Sequence, residues 1–269
     1  MDKKHYFCLS LQSNASMKYI RKIFIWARNI ILFLFVFSLF MVVLYRFVPV
    51  YYTPLMFIRM YEQKKTDKPV KREHQWVPLN DISQQLVQAV VASEDNLFLA
   101  HNGFDFEQIE KAQQEAKEGK RQRGASTISQ QTAKNVFLWP GHSYIRKGLE
   151  VYYTVLIELV WGKERIMEVY LNSIEMGDGV YGAEAVASKH FNKHAYQLTK
   201  AEAALIASSL PNPIRYDSAH PSPYMLKRQT AIMSLMDKIM KVNMGRDAKE
   251  KKKDKPSDKR RGKWRASIA

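Results

Sequence analysis

The residue best placed in this sequence to take a proton is a carboxylate that ends an apolar helical face. From Ile82 the apolar residues recur with a helical period, and Ile82, Leu86, Val87, Val90 and Val91 share one side. Glu94 follows Val91 by three positions and Val90 by four, so it continues that side. A carboxyl group partly stripped of water there is held above its ordinary pKa. That suits a general base working near neutral pH. The blander reading is a surface glutamate beside a solvated Asp95.

A second segment, RGASTISQQTAKN, runs from Arg123 to Asn135. Gly124 offers backbone access, and Ser126 and Thr127 bring hydroxyls and amides to the start of a helix, a geometry that binds anions. Thr127 and Gln130 have the spacing of a capping box. Lys134 lies one turn beyond Gln130 and Gln131. The group fits a phosphate or pyrophosphate, although the spacing is not that of a P-loop. The competing reading is an ordinary capped helix with surface amides. A third segment, RKGLE, sets Arg146 and Lys147 four and three residues before Glu150, so one face carries two cations and a carboxylate. A surface ion pair has the same spacing. The apolar stretch that follows argues against full exposure.

These segments need a helical frame. The pattern gives a helix from Ile82 to Glu94, one from Asp105 to Glu118, one beginning at STISQQTAKN, a long one through RKGLEVYYTVLIELVW, and another at KERIMEVYLN that breaks at MGDGVYG. Tyr181 to Phe191 reads as helix again. TKAEAALIASSL is the last clear one, capped by Thr199 and Glu202 and stopped by Pro211. Alternation of the strand type is scarce, so the fold class is mainly α. His190 and His194 are four apart but lack the glutamate of a zinc-binding helix motif, and no metal site is expected there. The methionines from Met225 to Met244 read as loose helical core or membrane-facing surface.

Before this frame stands an apolar run, Ile30 to Tyr45, without a charge. Lys18, Arg21, Lys22 and Arg28 precede it, whereas only Arg59 is basic between Phe47 and Gln63. The asymmetry places the N-terminus in the cytoplasm and the rest outside. No small-residue cleavage site follows, so the run reads as an uncleaved signal anchor. The expected division is a basic tail over 1–28, a transmembrane segment over 29–50, a domain over 51–244 with an irregular stalk over 51–80, and a disordered basic tail over 245–269.

The chain has 269 residues and a net charge of +16, and the excess sits at the ends. Residues 1–30 carry six basic and one acidic residue, and residues 245–269 eleven and four. A high pI that comes from the termini is weak evidence for nucleic-acid binding, and none is expected. The one cysteine, Cys8, excludes an internal disulfide or a cysteine metal cluster. Neither Gly-x-Ser-x-Gly nor Ser-x-x-Lys occurs, which argues against a serine acyl enzyme.

Taken in order, EDNLFLAHNGFD, RGASTISQQTAKN, RKGLE, KERIMEVYLNSIEMGDGVYGAEAVASKHF and LTKAEAALIASSLPNP resemble the biosynthetic peptidoglycan glycosyltransferases. This is the domain shared by bifunctional penicillin-binding proteins and monofunctional transglycosylases. The missing Ser-x-x-Lys and second domain point to the monofunctional type. The resemblance implies a lysozyme-like, two-lobed domain behind one transmembrane helix, on the outer face of the bacterial inner membrane. It implies polymerisation of lipid II, with the growing lipid-linked chain as donor. By the same resemblance Glu94 is the catalytic base and Glu150 the second essential carboxylate. Lys134, Arg146 and Ser126 fall where the donor pyrophosphate is held, Gln130, Gln131 and Asn135 shape that wall, and Asp95, Phe98 and His101 shape the first motif. A divalent cation, Mg or Mn, is an optional helper, and other cell-wall synthases are candidate partners. His190 departs from the tyrosine more usual before that phenylalanine, and the basic tail is an addition. Two other readings stay open, a lysozyme-like lytic glycosidase and a non-enzymatic membrane-anchored scaffold.

Overall fold

The computed structural model describes residues 3–67, 69–119, 124, 126–141 and 143–244, with no side-chain description for 3–16 and 18. The basic tail of 245–269, expected to be disordered, lies outside the described residues. The chain divides into two compact units, 1–48 and 49–269.

The first unit is one helix, α1, Lys3–Phe47. Its segment Tyr19–Phe47, 29 residues, is long and apolar enough to cross a membrane. The helix runs further upstream than the expected 29–50 and ends three residues earlier. No glycine or proline interrupts the sequence before Pro49, and the residue before a proline is driven out of helical geometry. The one polar side chain of the apolar run, Ser38, donates to the Phe35 carbonyl at 2.7 Å, so it does not break the helix.

The second unit begins with a correction. Residues 51–80 are not an irregular stalk but include α2, Pro54–Lys65, and strand β1, Glu73–His74. Pro54 occupies the first helical turn, where a proline starts a helix rather than breaking it, and Thr53 accepts from the Met56 amide at 3.3 Å. The remaining helices are α3 (Gln84–Glu94), α4 (Phe106–Lys117), α5 (Ile128–Phe137), α6 (Tyr144–Val160), α7 (Gly162–Ser173), α8 (Ala183–Phe191), α9 (Lys200–Ser209) and α10 (Pro223–Lys238). The fold is mainly helical, as expected.

The glycine-rich break after α7 is a small sheet. Strand β2, Glu175–Gly177, pairs antiparallel with β3, Val180–Tyr181, and β1 joins β3 in parallel. Tyr181 is therefore strand, and α8 starts only at Ala183. Gly182 forces that boundary: its φ is 84°, and a Cβ there would lie 2.5 Å from the Asn172 carbonyl oxygen.

Two helical groups form the core. The apolar side of α3, with Leu86, Val87, Val90 and Val91 buried, packs against α9 and α10. α5 packs against α6 and α7. Phe137 of α5 stacks on Tyr153 of α6 with ring centroids 4.4 Å apart. The C-terminal end of α3 is thereby brought against α5, and the site lies at that junction.

Candidate active site

Glu94 is the last residue of α3, and Asp95 caps the helix. Gln131 Nε2 on α5 donates to Glu94 Oε2 at 3.1 Å and to the Ser126 carbonyl at 3.3 Å. Burial raises the pKa of Glu94, and the Gln131 hydrogen bond and the charges of Arg228 and Lys134 oppose that rise. The direction matches the expectation from the sequence.

Asp95 ties the two helices together. Its carboxylate accepts from the Ile128 amide at the start of α5 at 2.9 Å, and from His101 Nε2 at 2.9 Å. Phe98 is fully buried. Lys163 lies over its ring, 4.6 Å from the centroid, and also contacts Glu158 at 2.7 Å. Ser129 of α5 donates to the same Glu158. Thr127 and Gln130 form the expected capping box, and the Thr127 hydroxyl donates to the Gly103 carbonyl at 2.7 Å. Asp95, Phe98, Thr127 and Gln130 are thus buried groups that fix the backbone of the site, and Asn135 is buried on the same helix. Ser126 is exposed. Gly124 is exposed as well, and a Cβ there would meet nothing within 4 Å, so space alone does not demand a glycine.

The RKGLE face is not a surface pair. Arg146 is 8% exposed and Glu150 3%. Arg146 Nη1 contacts Glu150 Oε2 at 3.0 Å and Lys147 Nζ contacts Oε1 at 2.5 Å. Both oxygens of Glu150 are engaged by cations, whereas Glu94 is held by one neutral amide. Arg146 Nε is buried and has no hydrogen-bond partner among the described residues. Lys134 is half-buried, and its ammonium makes no hydrogen bond among the described residues. Burial lowers its pKa first. Glu150 and Glu94 oppose that, while Arg146 and Lys147 reinforce it. A partly desolvated cation without a hydrogen-bond partner is costly, and an incoming anion lowers that cost.

Two members of the site escaped the sequence reading. Arg228 on α10 acts electrostatically on Glu94, and its Nε is buried without a partner among the described residues. Tyr170 on α7 donates to Gln131 Oε1 at 3.1 Å. Nothing local marks either residue, because only the packing of α7 and α10 brings them to the site. The histidine pair is used elsewhere: His190 Nδ1 meets Ser218 Oγ and His194 Nδ1 meets Glu184 Oε1, each at 2.7 Å. Among the described residues no three His, Cys, Asp or Glu side chains converge as a metal site. Both oxygens of Glu150 are held by Arg146 and Lys147.

The Transglycosylase family profile matches residues 62–237. A biosynthetic peptidoglycan transglycosylase of Bacteroides thetaiotaomicron is 59% identical over 223 residues, covering 82% of this chain and 90% of that protein. Proteins of the same name from Bdellovibrio bacteriovorus and Shewanella oneidensis are 52% and 43% identical, covering 78% and 85% of this chain and 84% and 97% of their own lengths. With the profile spanning most of the folded unit, and with relatives of 43–59% identity covering most of both chains, the chain belongs to the transglycosylase family.

Proposed function

We propose that this chain is a membrane-anchored peptidoglycan glycosyltransferase that builds glycan strands from lipid II. The names of its relatives give the substrate class. The observation that carries the mechanism is the charge gathered around one desolvated carboxyl: Glu94 is felt by Lys134, which in turn feels Arg146, Lys147 and Glu150.

In this reading the acceptor is lipid II and the donor is the growing chain on its lipid pyrophosphate. The acceptor's sugar hydroxyl attacks the donor's anomeric carbon while Glu94 takes the hydroxyl proton. The bond from that carbon to the pyrophosphate oxygen breaks, and the electron pair leaves with the pyrophosphate. Attack opposite the leaving group inverts an α link to a β-1,4 link. The leaving group is already ionised, so it needs fixed cations rather than an acid. Lys134 and Arg146 supply them, and Ser126 lies at the same helix start. Glu150 anchors Arg146 and Lys147. The helix Tyr19–Phe47 crosses the inner membrane with the N-terminus in the cytoplasm, which sets the domain beside its lipid-linked substrates.

The test is product analysis. Purified full-length protein in detergent, given lipid II, should release lipid pyrophosphate and form β-1,4-linked polymer. Given preformed glycan, it should cut nothing. Cleavage of glycan without consumption of lipid II would overturn the reading in favour of a lytic glycosidase.

A further inference from the structure

Tyr170 lies in the stretch KERIMEVYLN, to which the mechanism assigns no chemistry. The residue is 0% exposed, so its hydroxyl has to find a partner inside the protein. That partner is the oxygen of the Gln131 amide, 3.1 Å away. The other end of the same amide, Nε2, donates to Glu94 Oε2 and to the Ser126 carbonyl.

An amide has one accepting and one donating end, whereas a carboxylate and a carbonyl only accept. The Gln131 nitrogen must therefore face Glu94 and Ser126, which leaves its oxygen for Tyr170. Turned over, the amide would set an oxygen against the Glu94 oxygen. Burial, then the charges of Glu94 and Asp95, push the Tyr170 phenol well above its ordinary pKa, so it stays a donor throughout the working range. We propose that Tyr170 is a positioning residue of the transfer reaction: its hydroxyl holds the Gln131 amide in the orientation that donates to Glu94, and so aims the Glu94 carboxylate at the acceptor. Tyr170 touches no substrate and acts only through Gln131. The proposal rests on Glu94 being the base.

The groups that bear on Glu94 are Asp95 beside it, Gln131 and Lys134 from α5, Tyr170 from α7 and Arg228 from α10. Tyr170→Phe changes none of the charged ones. It frees the Gln131 amide to turn and weakens its hydrogen bond to the carboxylate. A carboxylate that loses a donor holds its proton more tightly, so the acidic limb of the rate profile moves to higher pH.

The experiment measures lipid II polymerisation against pH for the full-length wild type, Tyr170→Phe, Gln131→Ala and the double variant. Each single variant should shift the acidic limb of kcat upward by about one pH unit, the scale of one lost hydrogen bond to an ionised group. The double variant should shift no further, because one path is cut twice. KM for lipid II should stay within about twofold in Tyr170→Phe, since no substrate contact is removed there. An unshifted limb in folded Tyr170→Phe overturns the proposal, and so does a double variant whose shift is the sum of the two. If Tyr170→Phe does not fold, fluorotyrosine at position 170 keeps the hydroxyl and strengthens it as a donor. The limb should then move downward, and no movement overturns the proposal. Glu94→Gln separates the two levels. If it abolishes activity while Tyr170→Phe leaves the limb in place, only the positioning role falls. If it remains active, the base assignment falls and takes this proposal with it.

Discussion

Lys134 is a cation under strain from its surroundings. Burial and the neighbouring Arg146 and Lys147 favour its neutral form, and Glu150 and Glu94 hold its charge. A bound pyrophosphate would complete that balance. Lys134→Ala or Arg146→Ala should therefore slow polymerisation by roughly 10²–10³, the usual loss when one electrostatic stabiliser of a developing charge is removed. Circular dichroism and the melting temperature should show an intact fold in both variants. Near-wild-type rates in folded Lys134→Ala would remove it from the clamp. The same environment shapes the pH profile. Activity needs Glu94 ionised and Lys134 charged. The Glu94 pKa is raised, so the acidic limb should lie above the usual 4.5 of a glutamate. The Lys134 pKa is lowered, so the alkaline limb should fall below the usual 10.5 of a lysine. A steady-state rate profile with an acidic limb at or below the ordinary glutamate value would contradict the desolvation of Glu94. Glu94, Lys134, Arg146 and Glu150 were legible in the sequence because each belongs to a short segment of telling spacing. Arg228 and Tyr170 were not, because their chemistry depends on helices that meet only in the folded chain.

At the scale of elements, the start of α5 is where structure and function join. Thr127 caps the helix, its hydroxyl holds the Gly103 carbonyl, and Asp95 takes the Ile128 amide. Thr127→Ala should cost about 1–2 kcal/mol in denaturant unfolding, the range of a lost N-cap in a buried setting. It should also lower kcat, because the same turn carries Ser126. A stability loss without any change in kcat would show that the cap serves folding alone. The helices with clear periodicity, α3 to α9, were readable, α8 with its start set two residues too early. α2 was not, because Pro54 and a charged run look like a loop unless the proline is recognised as a first-turn residue. α10 was hidden in a similar way behind Pro223, with Ser222 as its cap. The sheet escaped because its strands are two or three residues long, too short to show alternation.

At the scale of the whole molecule, an apolar helix precedes a transglycosylase domain. A protease added outside intact spheroplasts should remove the chain beyond about Tyr51 and spare residues 1–28, as the basic flank requires. Protection of the region around His220 would reverse the orientation. The central claim is that Glu94 is the base of a glycan-polymerising site. It is tested most directly by comparing the full-length wild type with Glu94→Gln in lipid II polymerisation, with binding of a lipid-linked donor analogue measured alongside. The substitution preserves shape, and the Gln131 amide can still donate to the new carbonyl oxygen. It also removes a carboxylate that folding desolvates, so the melting temperature at neutral pH should hold or rise. Donor binding should be unchanged, and polymer formation should fall by at least about 10²-fold. A folded Glu94→Gln protein that polymerises lipid II within about tenfold of wild type, short of the smallest loss expected for a general base, would contradict it.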